Sequence, residues 1–457
     1  MEPPSIALDR RSFARGLMAT AFAGLALHSR QVSAAVLSEG RGFGTPVPDP
    51  AAILDLPPGF SYRIVSQFGQ TMSDGRRVPN SADGMGCTTL PDGRLCLMRN
   101  HELGPDELDY GACPVGTGGD AAAFDCHRGG SGEALPGGVS TIILDPETLA
   151  VEAQYLSLVG TIRNCSGGLT PWGSWLSCEE DVSRRSGKIG QDHGWVFEMP
   201  VAPGKLVSAE PIRAMGRFNH EAAVCDPKSG AIYMTEDRHE SLLYRFLPAE
   251  AGALQKGGRL QALAFVDPAQ SADTRNWAGA RFAGRSWADV RWIDLDDVES
   301  PADDLRRRGA KAGAAVFARG EGIHGGDGEI YFTCTSGGPA RRGQIMRYRP
   351  SPAEGTAVEA RAPGRLQLFL ESTDPGHFSF GDNLTVAPSG DLIVCEDRRG
   401  AKPDNWLRGV TPEGEVYPFA RVTAQTKVSG VCFAPDGKTM FLNLYSPART
   451  IAVRGPF

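Results

Sequence analysis

The chain has 457 residues, 41% of them hydrophobic and 22% charged, a balance that supports a large buried core and excludes wholesale disorder. Its net charge is −7, and it has no basic block beyond Arg306–Arg308, which excludes nucleic acid as a partner. Gly 57 and Pro 33 together form about a fifth of the chain, and with so few stretches of helical period that turn content points to many short strands.

The first element is an address. Asp9-Arg10-Arg11-Ser12-Phe13-Ala14-Arg15 precedes a weakly apolar stretch from Gly16 to Leu27, and Val32-Ser33-Ala34-Ala35 follows. Paired arginines, a short apolar segment and small residues at a cleavage site predict a twin-arginine signal peptide over residues 1–34. The apolar stretch is too short and too rich in Ala and Gly to span a bilayer, and no other span is evident, so the mature form is expected to have none. The partner such a signal implies is the twin-arginine export machinery, and the expected location is periplasmic or secreted. That route carries folded chains, which favours a protein that holds a metal. Residues 35–457 are expected to form one domain.

From residue 83 onward one unit keeps returning: a polar or acidic residue, an apolar run, a turn, a second apolar run, then a polar or acidic residue. Asp83 leads through Pro91-Asp92-Gly93 to Asn100-His101-Glu102. Cys165 leads through Thr170-Pro171-Trp172-Gly173 to Glu179-Glu180-Asp181, and His220-Glu221 through Asp226–Gly230 to Glu236-Asp237. Glu321 leads through Gly326-Asp327-Gly328 to Thr333-Cys334-Thr335. Asp382-Asn383 lead through Pro388-Ser389-Gly390 to Glu396-Asp397, and Ser429 through Pro435-Asp436-Gly437 to Asn443. Each unit reads as a β-hairpin, because Asp-Gly and Ser-Gly supply the positive φ of tight turns. Six hairpins at irregular intervals predict an all-β fold, a six-bladed β-propeller with inter-blade insertions, with a bent β-sandwich as the structural alternative. The segment from Gln255 to Arg308 breaks the rhythm and reads as an insertion rimming the site; its Asp294, Asp296 and Asp297 suggest either a small calcium site or a solvated loop.

Hairpin geometry carries chemistry. The residue before the first strand and the residue after the second lie at the same end. Asp83 with Glu102, Cys165 with Glu180, Glu221 with Glu236, and Asn383 with Glu396 are therefore expected at one mouth of the central channel. Like charges so crowded need compensation, and hard cations prefer carboxylate oxygens. Cys165 amid the carboxylates suits iron better than calcium, so a mixed site is expected. Of the ten cysteines, Cys87, Cys225, Cys334, Cys395 and Cys432 sit in strand-like apolar runs and read as small buried hydrophobes, whereas Cys113 and Cys126 flank a polar loop and are either a disulfide or two thiols.

Three strings are specific. Asn100-His101-Glu102, the run from Asn164-Cys165-Ser166-Gly167-Gly168 to Glu179-Glu180, and Gly216-Arg217-Phe218-Asn219-His220-Glu221-Ala222 resemble the PhoX-type alkaline phosphatases, as does the export signal. With the later motifs the resemblance spreads from Gly84 to Asn443, and the fifth unit looks like that of a compact subgroup. The resemblance implies a six-bladed propeller with ferric iron and calcium at its channel mouth, hydrolysing phosphomonoesters outside the cytoplasm. It implies Cys165 as an iron ligand, and Glu102, Glu180, Glu221 and Glu321 as metal ligands. Arg319 resembles an arginine that grips the substrate phosphate. Asp382 and Glu396 join the expected metal set from the hairpin pattern.

Such a cluster suits a small-molecule phosphoester substrate, with Arg319 as a planar, permanently charged clamp; a surface salt bridge is its other reading. His101, His220 and His324 near the mouth read as hydrogen-bonded donors or as a general acid. Two other functions keep the propeller: a calcium-dependent lactonase-like hydrolase, which needs no Cys165, and a non-catalytic calcium-stabilised binding propeller. A monomer is expected.

Overall fold

A computed structural model describes residues 42–113, 120–128, 132–208, 210–374, 376–400 and 402–457. The signal peptide lies outside the described residues. In chain order the strands are β1 (Leu54–Asp55), β2 (Ser61–Gln67), β3 (Ala82–Thr89), β4 (Leu95–His101), β5 (Gly137–Leu144) and β6 (Val151–Thr161). Then come β7 (Asn164–Leu169), β8 (Ser174–Glu179), β9 (Val196–Pro200), β10 (His220–Cys225), β11 (Ile232–Glu236), β12 (Tyr244–Pro248), β13 (Gly258–Phe265) and β14 (Trp287–Asp294). The chain continues with β15 (Gly320–Gly326), β16 (Glu329–Cys334), β17 (Gln344–Arg349), β18 (Arg365–Glu371), β19 (Gly381–Val386), β20 (Leu392–Glu396), β21 (Asn405–Val410) and β22 (Val416–Val422). It ends with β23 (Val428–Phe433), β24 (Thr439–Leu444) and β25 (Arg449–Arg454). Among the described residues one short α-helix, Leu305–Lys311, interrupts the pattern.

All strand pairs are antiparallel, and the six hairpins expected from turn residues are present as β3–β4, β7–β8, β10–β11, β15–β16, β19–β20 and β23–β24. The β15–β16 turn shows why: Asp327 and Gly328 both take positive φ (50° and 77°), which closes a two-residue hairpin with the natural strand twist. The strands do not sort into six separate sheets. Among the described residues there are five: three, four, four and five strands, and one of nine, because β14 pairs with β13 on one side and β18 on the other. The segment read as an insertion from Gln255 thus begins with a regular strand, β13, and supplies the bridging strand β14.

The arrangement is propeller-like. The first strand of each hairpin is the edge of its sheet, and these edges neighbour one another in a closed circuit, β3, β7, β10, β15, β19, β23 and back to β3. Core fills each gap between neighbouring sheets: Met98 and Val139 against Trp175 and Phe197, Leu176 and Val196 against Ile232 and Met234, Tyr331 and Ile345 against Leu384 and Val394. The circuit is latched by the chain ends, since β2 pairs along its length with β25 and β1 pairs with β22. All ten cysteines are free thiols; Cys113 and Cys126 are half-buried and unlinked, and the five expected in apolar runs are buried. Among the described residues no helix is long and apolar enough to cross a membrane.

Candidate metal centre

Each inner strand breaks register with its partner near its start. The breaks fall between Ala82 and Met85, Asn164 and Gly167, His220 and Ala223, Gly320 and Ile323, Gly381 and Leu384, and Ser429 and Cys432. Such a bulge sets two residues against one and re-aims a side chain. The first residue inside the six breaks is Asp83, Cys165, Glu221, Glu321, Asp382 and Gly430 in turn. The residue directly after the return strand supplies a second set: Glu102 after β4, Glu180 after β8, Asp237 after β11 and Asp397 after β20. All of these except Asp83 and Gly430 line one recess of about 330 Å³, together with Arg163, Arg319, Arg399, Lys427 and Tyr445.

Within it three groups have ligand atoms within 4.8 Å of one another: Asp83, Glu102 and Cys165; Cys165, Glu180 and Glu221; Glu221, Glu321 and Asp382. Cys165 and Glu221 are shared, so the groups form one continuous arc. Seven of the sequence-expected residues are therefore brought together: Glu102, Cys165, Glu180, Glu221, Arg319, Glu321 and Asp382.

Glu396 is not. It is the last residue of β20, paired in register with Gly381, and its carboxylate accepts from Arg408 Nε (3.1 Å), Arg398 Nε (3.0 Å) and the Ser379 amide (2.9 Å). Glu236, expected opposite Glu221, is placed likewise and accepts from Tyr244 Oη at 2.8 Å. Glu179 holds the same position in β8 and caps the amides of Ile162, Gly194 and Trp195. Along a strand successive side chains alternate sides, so in Glu179-Glu180, Glu236-Asp237 and Glu396-Asp397 the second acid faces the recess and the first serves the fold. Asp237 and Asp397 entered the sequence analysis as the closing residues of their hairpins and not as site residues, and Arg163 and Lys427 did not enter it; the acidic pairs were the signal for the first two.

The recess is partly self-neutralised. Arg319 Nε and Nη2 donate to Asp237 Oδ1 (2.6 Å) and Oδ2 (2.7 Å), and Nη2 lies 3.0 Å from Glu321 Oε1. Arg163 Nη2 pairs with Glu102 Oε1 at 2.6 Å and with Glu180 Oε2. Lys427 Nζ bridges Asp382 Oδ2 (2.7 Å) and Asp83 Oδ2 (3.0 Å). The cations fall short. Burial pushes the carboxyls of Asp83, Glu221, Glu321 and Asp382 upward, and neighbouring acids add to it; burial and then Glu102 push Glu180 up to about 8. Burial also drives Glu102 upward, yet Arg163 and Lys427 hold it below the usual range. Burial, then Asp83 and Glu221, raises the Cys165 thiol far above its ordinary value, and its Sγ donates to Glu221 Oε1 at 3.0 Å. Asp83 Oδ1 and Glu221 Oε2 are buried with no hydrogen-bond partner. Orphaned oxygens on a rim of acids around one thiol are a donor set that fits hard cations with one thiolate-liking ion.

The other polar residues flagged by sequence are occupied elsewhere. Asn100 bonds Trp175 Nε1 (2.9 Å) and the Ser166 carbonyl (2.6 Å), and Asn383 Oδ1 accepts from the Gly430 amide (2.6 Å). His101 and His220 are buried and His324 is half-buried; none of the three lines the recess, and loss of solvent lowers their pKa values, to about 3 for His220 and about 4 for His324. Asp294 pairs with Gln261 and Asp296 with Arg308, so these acids do not converge.

A family model described as alkaline phosphatase PhoX matches residues 41–131 and 146–448. Among solved structures, Pseudomonas fluorescens PhoX in complex with vanadate, a transition state analogue, shares 19% identity over 91% of this chain and 98% of that one, with a TM-score of 0.66. XC5397 from Xanthomonas campestris, a gluconolactonase, shares 12% identity over 92% of this chain and all of its own, with a TM-score of 0.43. No curated protein sequence is matched. The family match spans most of the chain and covers every residue of the metal-ready arc, and the chain belongs to the PhoX alkaline phosphatase family.

Proposed function

We propose that this protein hydrolyses phosphomonoesters at the recess, with iron at Cys165 and calcium at the outer carboxylates. The observation that carries this reading is the continuous arc from Asp83 to Asp382, with its orphaned oxygens and buried thiol, in a PhoX-family chain. Bound cations there supply charge neutralisation of the ester and of its leaving oxygen. Cys165 and its neighbours Glu180 and Glu221 would hold iron; Asp83, Glu102, Glu321 and Asp382 would complete the calcium set. Arg319 orients the substrate. Its guanidinium, planar and charged by its own delocalisation, is held in place by Asp237 and Glu321, which fix Nε and Nη2. A phosphate oxygen reaching into the recess meets that fixed plane, so binding costs little side-chain ordering.

On this reading the nine-stranded sheet is two blades, β10–β13 and β15–β18, joined at their outer edges by β14, and the molecule has six blades. Residues 1–34 direct twin-arginine export, residues 35–457 form the single mature domain, and it works as a monomer outside the cytoplasm. The test is purification after export by its own signal, elemental analysis, a visible spectrum and assay on an aryl phosphate. Iron and calcium should co-purify with phosphatase activity, and Cys165→Ser should lose the iron. A metal-free, colourless protein that is inactive after reloading removes this reading.

A further inference from the structure

The ring of bulges has one gap. Five of the six inner strands place a side chain that offers a ligand atom, and the sixth places Gly430. No side chain fits there: a Cβ on Gly430 falls 2.3 Å from the Asp83 carbonyl oxygen and 2.6 Å from Asn443 Nδ2. The metal-ready groups run from Asp83 through Cys165 and Glu221 to Asp382, and stop. Across the gap, between Asp382 and Asp83, stands Lys427, three residues before Gly430, with Nζ at 2.7 and 3.0 Å from one oxygen of each. It takes Oδ2 of Asp83 and leaves Oδ1, fully buried and without a partner, to the neighbouring group.

We propose that Lys427 is a built-in cation that closes the ring and keeps a divalent ion out of the arc between Asp382 and Asp83. An ammonium and a calcium ion compete for the same hard oxygens, and two facing carboxylates stripped of both cannot stay charged in a buried site. Lys427 is therefore a positioning residue: it sets how many ions the recess holds and which oxygen of Asp83 faces them. The inference rests on the metal reading above.

The test compares wild type, Lys427→Ala and Lys427→Arg by elemental analysis after gel filtration from calcium buffer, with thermal melts across a calcium series. Lys427→Ala vacates both space and charge, so it should carry one more calcium per chain than wild type. Its melting temperature should rise more steeply with calcium. Lys427→Arg keeps the charge and should match the wild-type count. If Lys427→Ala does not fold, Lys427→Gln against Lys427→Arg reads the charge alone: the melting gap between them should close as calcium rises, and a constant gap overturns the proposal. An Ala variant with the wild-type calcium count also overturns it, as does one that only loses inhibition by inorganic phosphate, which gives the lysine to the substrate. Metal-free wild type sinks the metal reading itself, whereas metal-loaded wild type with an unchanged variant sinks only the role of Lys427.

Discussion

Arg319 adopts φ 57°, two residues before Glu321, and Arg163 adopts φ 46°, two residues before Cys165. The two arginines hold equivalent places in the fourth and second hairpins, and each binds acids of its own and the preceding hairpin. Arg319→Ala should weaken inhibition by free phosphate about ten- to a hundredfold, the equivalent of one charge-assisted hydrogen bond of roughly 1.5–3 kcal/mol. Arg319→Lys should recover only part of this, because an ammonium cannot grip Asp237 with two parallel donors and so is not held in one orientation toward the recess. Since Arg319 also pairs with Asp237 and Glu321, the Ala variant should melt lower as well. Phosphate inhibition measured beside a melt separates the two effects, and full phosphate sensitivity in the Ala variant rules the clamp out.

At the scale of elements, the inner strands approach so closely that glycines stand beside the ligating positions. Gly84 follows Asp83, and a Cβ there falls 2.4 Å from the Ser166 Cα; Gly322 follows Glu321, and its Cβ falls 2.6 Å from the Asn383 Cα. Backbone yields less readily than a side chain, so Gly84→Ala should cost at least the ~1–3 kcal/mol of core overpacking. Gly284→Ala, with nothing within 4 Å, is the control and should melt like wild type. A Gly84→Ala protein with an unchanged melt contradicts this close approach.

A second element-scale device holds the loops behind the site. His193 lies between Glu179 (2.7 Å from Nδ1) and Asp125 (3.3 Å from Nε2), fully buried. Burial alone depresses its pKa, but the two carboxylates push it up to about 9, above the ordinary 6.5. The stabilisation is therefore complete below pH 6.5 and is lost as pH rises through about 9. The loss is on the order of 3 kcal/mol. Melting temperature should fall across that window in wild type and fall less in His193→Gln; parallel profiles would exclude the imidazolium.

For the whole molecule, the excess of buried acid over Arg163, Arg319 and Lys427 links cation binding to closure of the ring. Chelation should lower the melting temperature as well as activity, by RT ln(1 + [L]/Kd) for each ion lost. Melts in calcium and in chelator that overlay would disconnect the cluster from stability. Closure has a second component, the pairing of β2 with β25, which joins residues nearly four hundred positions apart along one sheet. Each neighbouring pair of sheets carries its own apolar seam, so the ring is held at its rim by hydrophobic packing and strained at its centre by charge.

The sequence by itself determined the hairpins, because Asp327-Gly328 and the other turn pairs dictate local backbone conformation, and it determined which hairpin ends carry acids and the single thiol. It also determined the family, through strings such as Asn164-Cys165-Ser166-Gly167-Gly168 that encode both ligand and close strand approach. The tertiary structure alone decided which member of each acidic pair faces the recess. Glu396 and Asp397 differ by one position, and a strand turns adjacent side chains to opposite sides, so a register change of one residue reverses the choice. It alone brought Arg163 and Lys427 to the acids, since nothing local marks a basic residue whose partner, as with Lys427 and Asp83, lies 344 positions away. It alone joined two strand runs through β14, a pairing set by the outer edges that β13 and β18 leave open. Local chemistry wrote the parts; ring geometry, which no short stretch contains, chose their orientation and their neighbours.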